Sequence, residues 1–171
     1  MATVLSINIS EKKGTPKTKI TAGRLIEDFG FDGDAHAGKW HRQVSLLAKE
    51  SIEKAKGMRT DGLCHGMFAE NITTEGISLH TLPVGTKLQI GDAVIEISQI
   101  GKECHDGCAI RQLVGQCIMP KEGVFGRVIR GGTAWAKAKF CHCAFRAAMA
   151  PDVNDSSNSP TLGYRFFLTI P

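Results

Sequence analysis

The segment 86–97 limits the fold more than any other. In Thr86-Lys87-Leu88-Gln89-Ile90-Gly91-Asp92-Ala93-Val94-Ile95-Glu96-Ile97, two runs that alternate apolar and polar flank the pair Gly91-Asp92. Successive side chains of a strand point to opposite faces, so each run offers one apolar face to a core. A Gly-Asp pair between two such runs is a two-residue hairpin turn. The second strand is expected to run on through Ile100 into Gly101. Antiparallel β-structure is therefore the base from which the rest of the chain has to be built.

The remaining composition agrees. The chain has 171 residues, 42% of them apolar, enough for one domain with a sizeable core. With 19 glycines and only 6% aromatics, it suits a turn-rich, strand-rich protein better than a helical bundle, and disorder, collagen and coiled coil are excluded. Val4, Leu5, Ile7 and Ile9 predict a strand over 3–9, followed by a basic turn at Lys12-Lys13-Gly14-Thr15-Pro16-Lys17. The glycine- and aspartate-containing stretch 30–38 reads as a loop. A helix is expected with Ser45 or Ser51 as its cap, Leu47, Ile52 and Ala55 on its apolar face, and Gly57 as its stop. Residues 68–72 read as strand or irregular. The spacing of Phe125, Val128 and Ile129 predicts one or two helical turns over 123–130.

Gly131-Gly132 marks a change of character. Residues 133–171 contain seven alanines, no Glu and two Asp, and 151–160 reads as a flexible linker. The expected organisation is a domain over 1–132 and an atypical, partly disordered tail over 133–171, outside the core. No apolar run approaches the roughly 18 residues of a membrane helix, and the opening MATVLSINISEKK is too short and polar for an export signal. A cytoplasmic location with no membrane partner is the expectation. The net charge of +4 is too small to argue for nucleic acid.

Six cysteines in such a chain are expected to be buried, metal-bound or reactive rather than paired as disulfides. The sharpest cluster is Gly101-Lys102-Glu103-Cys104-His105-Asp106-Gly107-Cys108, with Cys117 further on. It follows directly on a predicted strand, where loops carry function. Three readings stand side by side. One is a reactive or soft-metal thiolate, its pKa lowered from about 8.5 by Lys102 and His105 and suited to molybdenum, copper(I) or zinc. Another is a zinc site of Cys104, His105, Cys108 and Cys117, against which speaks the lack of a second closely spaced ligand pair. The third is burial of the thiols as small apolar groups, the reading adopted for Cys64, Cys141 and Cys143.

The loop Gly33-Asp34-Ala35-His36-Ala37-Gly38-Lys39-Trp40 nearly matches the phosphate-binding pattern G-x-x-x-x-G-K-[ST], but Trp40 stands where a hydroxyl is needed for magnesium. A better reading takes Asp34, His36, Arg42 and Gln43 together, with Arg42 holding a phosphate bidentately and Asp34 orienting a neighbour. The plain alternative is a surface salt bridge and a solvated histidine. Lys13, Lys17, Lys102 and Arg127 add candidate anion-binding charge.

Taken in order, GDAHAG (33–38), RQVSLL (42–47), FAENI (68–72), LPVGTKLQIGDAVIEISQIGKECHDGC (82–108) and MPKEGVFGRVIRGG (119–132) resemble the MOSC domain, named for the C-terminal domain of molybdenum-cofactor sulfurases. The chain looks most like the short, free-standing members. The resemblance implies a mostly β fold with a few helices, an antiparallel β-barrel of the pyruvate-kinase barrel type. It implies work around the molybdenum cofactor (molybdopterin) through one characteristic cysteine, matched here by Cys108, with Cys104 as its companion and a catalytic partner. Cys108 would ligate molybdenum or carry sulfur as a persulfide. Asp34, His36, Arg42 and Asn71 map to pocket positions, and Lys17 and Lys102 would add charge for the anionic end of the cofactor.

Whether such a domain is an enzyme, of sulfur-transferase or cofactor-dependent type, stays open. So does its rival, a non-catalytic carrier of the cofactor; a dithiol redox protein using Cys104 and Cys108 is a third class. No pyridoxal phosphate is expected in this chain. A cysteine desulfurase, or another protein of molybdenum-cofactor biosynthesis, is the implied partner. The family's glycine pair is usually followed by a Gly-Asp segment and a last strand. The absence of Gly-Asp after Gly132 predicts an incompletely closed barrel with an exposed sheet edge.

Overall fold

The computed structural model describes residues 2–56, 65–103, 117–138 and 140–143, the last four and Lys56 by their backbone alone. The expected hairpin forms from β7 (Lys87–Ile90) and β8 (Ala93–Ile100), with Leu88 opposite Ile95 and Ile90 opposite Ala93. Leu88, Ile90, Ala93, Ile95 and Ile97 are all fully buried on one face, as their alternation requires. Gly91 turns the corner at φ 59°, and a Cβ there would meet the Thr133 carbonyl oxygen at 2.3 Å. The position needs glycine both for its backbone and for its space.

From this hairpin the main sheet extends strand by strand. β9 (Val124–Arg130) pairs with β8, β5 (Val44–Ala48) with β9, and β6 (Ile72–Glu75) lies parallel to β5. β1 (Thr3–Ile9) pairs with β6, and β2 (Thr18–Ile20) with β1. At the other end β11 (Phe140–Cys143) pairs with β7. A second sheet joins β10 (Gly132–Trp135), β3 (Ala22–Ile26) and β4 (Gly30–Phe31). α1 (Lys49–Lys56) makes the crossover that a parallel β5–β6 pair needs, and α2 (Met119–Glu122) precedes β9.

The fold is mostly β, as expected, but the strands do not close into a barrel. Among the described residues β11 and β2 are the two ends of an eight-stranded sheet, and β10, β3 and β4 form a separate sheet of three. The second sheet is held over the first by single backbone hydrogen bonds, Asp28 N–H to Val128 O (2.9 Å) and Asp92 N–H to Thr133 O (3.0 Å). Leu25, Phe31 and Ala134 from it enter the main core with Val4, Ile7 and Ile95.

Three local expectations are corrected. Residues 124–130 are a central strand, not helical turns. Val124 and Val128 face the main core and Phe125 faces a second apolar cluster on the other side, so burial on both faces imitated helical spacing. Ser45 and Leu47 likewise belong to β5, and the helix begins only at Lys49. Strand structure also continues beyond Gly132. β10 pairs with β3, Ala134 and Ala138 are buried, and Lys137 N–H donates to Val4 O at 2.7 Å. The core therefore runs past the expected boundary at residue 132, and the last strands are present without the Gly-Asp segment. Residues 144–171 lie outside the described residues.

Candidate functional site

The second apolar cluster, built from Leu47, Ile52, Phe68, Met119 and Phe125, fills the space between α1 and the outer face of β5 and β9. At its edge opens a cavity of about 570 Å³, within the ordinary range of ligand pockets, roughly 300–1,000 Å³. Its walls come from where β8 ends, where β5 begins and from the turn before β6, bringing together His36, Arg42, Asn71 and Lys102. Four residues proposed from sequence thus meet at one place.

Arg42 dominates the cavity electrostatically. Its guanidinium carbon lies 5.0 Å from the centre of the Trp40 ring and 5.8 Å from that of Phe125, a stacked geometry favoured by the negative ring faces. Its Nε is buried and makes no hydrogen bond among the described residues. Among the described residues neither Arg42 nor Lys102 forms an ion pair. A buried donor without an acceptor costs about 1–3 kcal/mol, so a buried orphan beside a cavity points to a ligand oxygen. On the rim, His41 Nε2 lies 2.9 Å from Gln99 Oε1, and Glu103 adds one solvent-exposed carboxylate.

Beneath the cavity the polar groups are, by contrast, largely satisfied. Asp34 is fully buried and pairs with Lys17; its Oδ2 also accepts the Ser10 N–H at 3.0 Å and its Oδ1 the His36 N–H at 2.9 Å. Burial would raise the Asp34 pKa, but the hydrogen bonds from His36 and Lys17 and the charge of Lys17 outweigh it and hold the carboxyl well below the usual range. Lys17 is pushed down by burial, against the hydrogen bond and charge of Asp34. Neither residue lines the cavity, and the salt bridge that Asp34 makes is a buried one rather than a surface one. Lys17 N–H also donates to Gly66 O at 2.8 Å, and a Cβ on Gly66 would come within 2.2 Å of the Lys17 carbonyl oxygen.

Asn71 lines the cavity while its amide is used within the fold. Its Oδ1 accepts from Ser45 N–H (3.1 Å) and Ser45 Oγ (2.9 Å), and its Nδ2 donates to Asn8 O (3.1 Å). Glu70 is buried beside it, accepting from Gly66 N–H (2.5 Å), Phe68 N–H (3.1 Å) and Thr73 Oγ1 (3.0 Å). Burial nevertheless raises its pKa. Arg127 pairs on the surface with Asp28 at 2.8 Å, away from the cavity.

Cys104, His105 and Cys108 lie outside the described residues, as does Cys64. The described segments on either side reach the cavity, through Lys102 and Glu103 before the gap and Met119 after it. Among the described residues no group of His, Cys, Asp and Glu could hold a metal ion, and no helix is long and apolar enough to cross a membrane. Trp40, His41 and Phe125 were not singled out as ligand-facing from sequence. The available signal was the run Trp40-His41-Arg42, which sets two flat rings next to the candidate guanidinium.

The model of the MOSC domain matches residues 33–134, more than half of the chain, starting at the GDAHAG loop and ending within β10. The chain belongs to the MOSC domain family. The family is associated with the molybdenum cofactor. No curated protein sequence matches this MOSC domain. Its fold is similar to that of the YuaD protein from Bacillus subtilis, at 15% identity and a TM-score of 0.68, covering 82% of this chain and 94% of that one. YiiM from Geobacillus stearothermophilus superposes with a TM-score of 0.67 at 18% identity, covering 84% and 76%. YiiM from Escherichia coli does so with 0.61 at 21% identity, covering 85% and 71%. At these identities the likeness is one of fold.

Proposed function

We propose that this MOSC domain binds the molybdenum cofactor in the cavity beside β5, with Arg42 at the anionic end and Cys108 supplying a thiolate. The buried, unpartnered Nε of Arg42 carries this reading. A guanidinium lying over two aromatic rings, with no ion pair among the described residues, fits a phosphate through a bidentate contact, and Lys102 adds a second cation. The lining is aromatic as well as cationic, through Trp40, Phe68 and Phe125, and so suits a ligand with a flat ring and an anionic end. When bound, the cofactor supplies molybdenum redox and sulfur chemistry that no side chain can provide.

The protein's own part is binding and orientation. Arg42 and Lys102 neutralise the anionic end, and the apolar cluster under Phe125 excludes water from one side. Cys108 follows Glu103 by five residues in the sequence. Its thiolate is a soft ligand suited to molybdenum. If the thiol instead relays sulfur as a persulfide, with Cys104 as companion, a cysteine desulfurase is the partner and the domain acts as a sulfur transferase.

The test is anaerobic purification from cells that make the cofactor, with molybdenum measured by elemental analysis and pterin by fluorescence after oxidation. Stoichiometric molybdenum and pterin in the wild type, with molybdenum lost in Cys108→Ala, is the expected result. Pterin retained but molybdenum absent from both proteins shifts the role of Cys108 to sulfur relay. Absence of pterin from the wild type overturns the reading.

A further inference from the structure

His36 stands between the satisfied polar layer and the cavity, and its two ring nitrogens face different surroundings. Nδ1 points toward the buried pair, 3.4 Å from Lys17 Nζ and 3.7 Å from Asp34 Oδ1. The side chain is 28% exposed and lines the cavity, so the far edge of the ring, carrying Nε2, is what the imidazole offers to a ligand. The main chain of His36 is fixed on both sides. Its N–H donates to Asp34 Oδ1 and its carbonyl accepts Trp40 Nε1–H at 2.8 Å.

These contacts select a tautomer. A lysine ammonium has three donors and no acceptor, so the nitrogen 3.4 Å from it is favoured as a lone pair over an N–H. Asp34 Oδ1 lies 3.7 Å from Nδ1, farther than Lys17 Nζ, and already accepts the His36 main-chain N–H. A proton on Nδ1 would therefore face an ammonium and find only the longer, already shared contact with Asp34 Oδ1. We propose that the Lys17–Asp34 pair holds His36 with its proton on Nε2, making the imidazole a neutral hydrogen-bond donor to the anionic ligand in the cavity.

On this view Lys17 and Asp34 are positioning residues that act through His36. The GDAHAG loop then contributes one donor, directed alongside Arg42, and the ion pair behind it never touches the ligand. A neutral donor suits a site that already has two cations, because it adds direction without adding charge that must be desolvated. The proposal rests on the reading of the cavity as an anion site, and its first test does not depend on any ligand.

The tautomer is read directly from long-range proton–nitrogen correlations of uniformly labelled protein at about pH 8.5, two units above the ordinary imidazole pKa of about 6.5. The six histidines give separate patterns, and that of His36 is the one missing in His36→Gln. The expected pattern has Nε2 protonated and Nδ1 bare. In Lys17→Met, which removes the ammonium, the proton is expected to move to Nδ1 and toward Asp34. Should that variant not fold, the wild-type pattern alone decides, and a proton on Nδ1 overturns the proposal. Inorganic phosphate is then titrated in. The expected result is that the His36 Nε2–H and Arg42 Nε–H resonances move together. Movement of Arg42 without His36 overturns the role of His36 and leaves the anion site standing. Movement of neither overturns both.

Discussion

Two polar regions of this MOSC domain lie within one side chain of each other and obey opposite rules. In the layer formed by Asp34, Lys17, Glu70, Asn71 and Ser45, every carboxylate oxygen and the Asn71 amide have protein partners. In the cavity above it, Arg42 presents a buried Nε with none among the described residues, and Lys102 forms no ion pair among them. Apart from Lys17, both regions come from polar residues of the five sequence blocks. The difference separates groups that fix the shape of the loops from groups left for something else to satisfy. Mutation should divide them along the same line, into losses of stability and losses of binding.

The largest effect is expected at Asp34. Asp34→Ala leaves the Lys17 ammonium buried without its counter-charge and frees the Ser10 and His36 N–H groups, so unfolding in urea should show a loss of about 3–5 kcal/mol. A loss under 1 kcal/mol would place Asp34 outside the structural layer. Asn71→Ala orphans the Ser45 N–H and the Asn8 carbonyl, and should cost about 2–4 kcal/mol in the same measurement.

Acidity sharpens the contrast inside the satisfied layer itself. The Asp34 carboxyl is held low, so its stabilisation is complete above about pH 4 and is lost as pH falls through its folded value. Glu70 has the opposite sign, because burial raises its pKa. Its contribution is greatest at low pH and falls as pH rises from about 4.3 through the folded value. Urea midpoints followed from pH 7 toward 4.5 should rise in wild type relative to Glu70→Gln, with a slope of at most about 1.4 kcal/mol per pH unit for one proton. Equal slopes in the two proteins would remove Glu70 from the account. The smallest effect belongs to the surface. Arg127→Ala breaks a half-exposed pair with Asp28, and its urea midpoint should be indistinguishable from wild type.

How much of this was legible in the sequence depended on the range of the interaction. The β7–β8 hairpin was readable because alternation and a two-residue turn are local, and so was β1. β9 and β5 were misread because both of their faces are buried, which erases the alternation; their assignment needs the knowledge that α1 covers the outer face. β10 and β11 were missed because little in their own residues marks them as strands, and their places are set by pairing with β3 and β7, 50 or more residues away.

The site divides similarly. The chemistry of Arg42, His36 and Lys102 was visible from residue type and block order, and the cavity does collect them. The withdrawal of Asp34 and Lys17 into an ion pair was not visible, because it depends on a loop 17 residues upstream folding under GDAHAG. Nothing in the sequence marks which of two neighbouring charges will find a partner. Burial decides that, and burial is a property of the whole fold.

The central claim is that the unsatisfied guanidinium is a binding group. It is tested most directly by Arg42→Lys, which keeps the charge and removes the Nε donor and the planar fork. Pterin content after anaerobic purification is measured beside the urea midpoint of the same preparation. The account expects pterin to fall at least about tenfold, equivalent to about 1.4 kcal/mol, with the midpoint unchanged. Full pterin content in a folded Arg42→Lys protein would contradict it.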